Sequence, residues 1–80
     1  MAKLTVTVGK TTYTERARWQ REFAGQTMLV VLREDGAVLS RIKGDPQSKW
    51  HRIQQLGRTE QSLRGFMRKL DNDPAYTRIH

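Results

Sequence analysis

The sequence predicts an α+β fold: a small antiparallel β-sheet of three to four strands in two hairpins, followed by two short C-terminal helices packed on one of its faces. Three patterns carry that expectation. Lys3–Val8 alternates strictly, with Leu4, Val6 and Val8 on one side and Lys3, Thr5 and Thr7 on the other. Such alternation of β-branched residues marks a strand with one buried face. Asp35-Gly36 separates two apolar runs, as in a tight hairpin. Leu63, Phe66, Met67 and Leu70 recur at i, i+3, i+4 and i+7, the stripe of an amphipathic helix.

Taken in order, Gly9-Lys10 follows the first strand and suits a two-residue type II′ turn. Thr11–Thr14 then returns as a second strand with Tyr13 opposite Val6. Glu15–Ala24 admits two readings. As a strand it places Tyr13, Ala17, Trp19 and Phe23 on one face. As a helix it takes Thr14 as N-cap and Gly25 as its C-terminal stop. A long strand gives the first hairpin the partner it needs.

Met28–Glu34 and Ala37–Lys43 form the second hairpin. A two-residue type I′ loop at Asp35-Gly36 sets Leu32 opposite Leu39, Val31 opposite Ser40 and Leu29 opposite Ile42. The run Met28–Leu32 is apolar on both faces, which places it at the centre of the sheet. Asp45-Pro46 then reads as a helix start, with Trp50, Ile53 and Leu56 on one stripe and Gly57 as the stop. Thr59 caps a second helix ending near Asp71-Asn72-Asp73-Pro74. Residues 71–80 form a tail docked by Tyr76 and Ile79. No repeat or linker interrupts the chain, so residues 1–80 read as a single domain with a sheet part (1–43), a helical pair (44–70) and the tail.

Eighty residues bury a thin core, and no cysteine is present to staple it, which favours dimerisation or partner binding. No apolar run reaches membrane-spanning length and no secretory leader pattern opens the chain. A soluble, cytoplasmic protein, unprocessed apart from its initiator methionine and without a membrane partner, is expected.

The net charge is +7, distributed as +2 over residues 1–40, +6 over 41–70 and −1 over the last ten. A concentrated basic block is the footprint of a polyanion binder. Catalysis has no support: the aspartates at 35, 45, 71 and 73 have turn or capping roles, and His51 and His80 stand alone. Two isolated histidines without cysteine do not make a metal site, and no phosphate-binding glycine loop is present. The chain is therefore expected to be no enzyme, with no catalytic residues, no metal and no cofactor.

The 44–70 pair has the spacing of a helix-turn-helix, whose second helix enters the major groove. Its outer side offers Gln61, Arg64, Arg68 and Lys69 to bases, with Lys49, Arg52 and Arg58 as phosphate contacts. The string Trp50, Ile53, Leu56-Gly57-Arg58-Thr59-Glu60-Gln61-Ser62-Leu63-Arg64 resembles the second and third helices of Myb/SANT-type DNA-binding domains. It covers a short part of the chain, the segment from Ile53 to Gly57 is shorter than in that family, and a sheet stands where its first helix would be.

Two functional expectations follow. The main one is a small basic regulatory protein that binds nucleic acid, DNA before RNA, through the helical pair. Aromatics interleaved with arginines at Tyr13–Phe23 extend this to single strands. The alternative is a small inhibitor or adaptor of the kind found in phages and mobile elements. It would bind an acidic or nucleic-acid-binding host protein, or a nucleoprotein complex, through the basic face or an edge strand such as Lys3–Val8.

Overall fold

The computed structural model describes residues 4–80. The N-terminal alternation becomes β1 (Thr5–Val8), and β2 (Thr11–Phe23) returns antiparallel to it with Val6 facing Tyr13. Lys3, the first residue of the expected strand, lies outside the described residues. Gly9 supplies the positive φ, +64°, that the connecting loop needs.

Of the two readings of Glu15–Ala24, the strand holds to Phe23. Its side chains do not keep one face, however. A bulge between Glu15 and Ala17 inserts a residue, so Tyr13 packs on one side of the sheet and Ala17 and Trp19 on the other.

β3 (Gln26–Arg33) follows after Ala24-Gly25, and β4 (Ala37–Ile42) after Glu34-Asp35-Gly36. The expected pairing of β3 with β4 is displaced by one residue. Leu32 faces Val38, Val31 faces Leu39 and Leu29 faces Arg41. A type I′ turn needs positive φ at both central residues. Among the described residues only Gly36 of the Asp35-Gly36 pair has it, at +90°. The Gly36 amide donates to the Arg33 carbonyl at 3.0 Å, closing a turn inside a three-residue loop. The two-residue loop with positive φ at both positions is instead Ala24-Gly25, at +53° and +77°.

The expected helix from Pro46 to Leu56 does not form. Asp45 uses its carboxylate to accept from the Gln47 amide at 2.9 Å, and its carbonyl accepts from Ser48 N at 3.1 Å. The Asp-Pro signal thus makes a tight turn, a use of Asp that competes with helix capping. His51–Gln55 then forms β5, antiparallel to β4. The supposed apolar stripe divides: Trp50 packs on one sheet face, Leu56 on the other, and Ile53 stays 59% exposed.

The expected second helix exists as α1 (Glu60–Asp71), capped by the Thr59 hydroxyl, which accepts from Ser62 N at 3.1 Å. The tail adds a short strand, β6 (Thr77–Arg78), against β2. Among the described residues the fold is therefore a six-stranded antiparallel sheet of order β1-β2-β3-β4-β5, with β6 beside β2, and a single helix between β5 and β6. It has neither the three to four strands nor the helical pair expected.

One face of the sheet packs Ala17, Trp19, Val30, Leu32 and Val38 against Leu63, Leu70, Phe66 and Met67 of α1. Trp19 and Phe66 meet edge to face, 5.9 Å between centroids. On the other face the β1–β2 hairpin folds back, so that Val6 packs on Val31 and Leu39, with Tyr13 and Trp50 alongside. Among the described residues no helix is long and apolar enough to cross a membrane.

Candidate binding surfaces

The seven residues expected to form one basic face do not share a surface. Gln61, Arg64 and Arg68 line a shallow outward groove of α1 together with Glu60 and Gly65. Lys69 follows in the same exposed last turn, where a cation complements the helix C-terminus. Arg64 is already engaged, its Nε lying 3.2 Å from Glu60. Glu60 also accepts from Arg16, with Nη2 to Oε2 at 2.6 Å. The Arg16 hydrogen bond is the chief reason the Glu60 carboxyl sits below its ordinary value, with Arg64 assisting.

Lys49 and Arg52 lie on the opposite side. Arg52 pairs with Leu39 across β4 and β5 and so shares the face away from α1. Arg58 stands in the connection between β5 and α1, near enough to Asp35 to help hold that carboxyl down. The larger cause there is Arg33, which pairs with Asp35 through two hydrogen bonds, while burial works against it. With ion pairs also holding Arg16, Arg18, Arg33, Arg64 and Arg78, the excess charge is dispersed rather than gathered into one basic face.

These placements overturn the DNA-reading geometry. A helix-turn-helix needs a first helix for the second to pack on, and that first helix is β5. The likeness to Myb/SANT domains fails for the same reason, because Trp50 and Ile53 are on a strand and its approach. The single-strand stacking surface fails at its centre, since Trp19 is fully buried.

The structure gathers residues that the sequence pattern does not place together. Trp50 receives two guanidinium groups, Arg18 at 5.6 Å and Arg41 at 5.7 Å from its ring centroid. Such stacking is favourable through the ring's negative face. Arg18 is locked by the buried Glu15, with contacts of 2.7 and 3.1 Å. Among the described residues Arg41 pairs with no carboxylate, and its Nε is buried without a hydrogen-bond partner. Among the described residues its hydrogen bond is a long one, 3.4 Å from Nη2 to the Asp45 carbonyl. The available signal was register: strand alternation puts Arg18 and Arg41 on one face, but pairing of Trp50 with them requires β5 to be recognised.

The second surface is the outer edge of β5. All five of its residues are exposed, and among the described residues its one strand partner is β4. From Pro46 to Thr59 there is no acidic residue, while Lys49, Arg52 and Arg58 all fall there. Among the described residues no group of three or more His, Cys, Asp or Glu is placed to hold a metal ion. Comparison with protein-family models, curated proteins and solved structures finds no match.

Proposed function

We propose that the protein is a small adaptor or inhibitor that binds another protein, taking an extended acidic segment of that partner as an added strand on the free edge of β5. The observation that supports it is the edge itself. Five consecutive exposed residues offer backbone hydrogen bonds on one side, and an exposed strand edge is a template for a further strand. Ile53, 59% exposed, gives the docked strand an apolar contact. Lys49, Arg52 and Arg58, with no acid between them, select an acidic segment and exclude a basic one. The role is binding without catalysis, and a cytoplasmic setting agrees with a chain that has no cysteine.

The test is affinity capture from source-cell extract after nuclease treatment, comparing the native chain with the double variant R52E/I53D. Both side chains are exposed, so the variant is expected to keep its thermal stability. One nuclease-resistant partner should be retained by the native chain and lost at least tenfold by the variant. Amide exchange across His51–Gln55 should slow in the complex. Equal capture by both chains, or unchanged exchange at β5, would refute the edge as the binding site.

A further inference from the structure

We propose that the pocket between the β1–β2 turn and the Ser48–Trp50 segment binds the phosphate group of a phosphate monoester. The fold builds this pocket by laying the end of β1 against the chain that leads into β5. The hollow is about 420 Å3, and Thr7, Gly9, Arg41, Ser48, Lys49 and Trp50 line it. Two cations and no carboxylate stand in that lining. The nearest acid in sequence, Asp45, spends its carboxylate on the Gln47 amide and offers Arg41 only a backbone carbonyl.

Arg41 carries the argument. Its neighbours on the same face, Arg18 and Arg33, are each neutralised by a carboxylate. Arg41 stacks on the Trp50 ring instead, and among the described residues no carboxylate pairs with its guanidinium. An oxyanion in the pocket supplies that counter-charge. A guanidinium fork binds phosphate oxygens two at a time, and Lys49 adds a mobile point charge. The Ser48 hydroxyl accepts from the Ile42 amide at 2.9 Å, which leaves its own O–H to donate. Two positive charges match the dianion that a phosphate monoester becomes near neutral pH better than they match a single carboxylate. The phosphate group is the shared chemistry of a free small monoester and of a phosphorylated side chain.

The site does not depend on strand addition at β5, and its test uses the free protein. Inorganic phosphate is titrated at a constant ionic strength of about 0.15 M, where weak surface attraction is largely screened. The readouts are the Arg41 Nε–H and Trp50 indole resonances. Saturable shifts are expected, with binding at least tenfold tighter than that of acetate in a parallel titration. R41Q and K49Q should each weaken it about tenfold or more, as loss of a charge-assisted hydrogen bond does. K43Q, which removes the same charge elsewhere on the exposed surface, should leave it unchanged. K49Q alters an exposed side chain and keeps the test valid if R41Q fails to fold. Glycerol phosphate and a phosphoserine peptide then distinguish the free from the protein-borne source by which binds more tightly. Acetate binding as tightly as phosphate, or phosphate binding indifferent to both R41Q and K49Q, would overturn the assignment.

Discussion

Asp71 shows how much one side chain at the end of α1 holds together. Its Oδ1 accepts from the Trp19 indole at 2.9 Å and its Oδ2 meets Arg78 at 2.7 Å, tying helix, central core and tail. The Trp19 hydrogen bond, followed by Arg78, holds its carboxyl below the ordinary 3.8, against the opposing effect of burial. The unfolded chain therefore takes up this proton before the folded one does. The stability Asp71 contributes is complete above 3.8 and is lost as the pH falls through its lower, folded value. D71N keeps an acceptor for the indole but cannot titrate, so its urea midpoint should depend less on pH below about 4 than that of the native chain. D71A strands the buried indole N–H and should cost about 1–3 kcal/mol at neutral pH, measured by the same denaturation. Ala24 presents the reverse case. It sits at φ +53° in the two-residue loop between β2 and β3, where a side chain other than Asn or Asp is strained. A24N should raise stability by roughly 0.5–1 kcal/mol, seen as a melting temperature higher by about 4 °C.

Among the elements, the β3–β4 connection decides the register of β3 against β4. Gly36 is fixed by more than its φ. A Cβ there would stand 2.6 Å from the Leu56 carbonyl oxygen, while the Gly36 carbonyl accepts from Leu56 N at 2.9 Å. The turn and the end of β5 are thus pressed backbone to backbone. G36A should destabilise by about 2 kcal/mol or more, with exchange at Gln54–Leu56 accelerated first, because both the φ and the close approach are lost. α1 is held by local chemistry of the opposite kind. Thr59 caps it, Glu60 occupies its first turn, and Arg68 and Lys69 occupy its last. Each of these is written in the few residues around it, which is why the cap and the stripe of this helix were legible in the sequence. β5 was not legible. Pro46 to Leu56 offers apolar residues at helical spacing, and only the open edge of β4 makes an extended chain the better solution. The candidate surfaces failed at the same point, because Lys49 and Arg52 belong to β5 and its approach rather than to a partner helix for Gln61, Arg64, Arg68 and Lys69.

At the scale of the whole molecule, the two faces of the sheet have different jobs. The face under α1 holds the larger core, with Trp19, Leu32, Val38 and Leu63 almost fully buried. L63A should cost about 2–5 kcal/mol, lowering the melting temperature by about 10 °C or more, which calorimetry would register. The other face is covered by the folded-back hairpin and leaves cations and Trp50 around an open pocket beside the edge of β5.

The sequence by itself determined the elements whose causes are local: the alternating first strand, the central apolar strand, and the capped amphipathic helix. Their signals act over one or two turns of chain. The tertiary structure alone decided that residues 51–55 extend rather than coil, that β3 and β4 pair one residue away from the simplest register, and that a bulge sends Tyr13 and Trp19 to opposite faces. Those outcomes depend on which distant backbone offers its hydrogen bonds and which face needs covering. A sheet settles such questions only once all its strands are present.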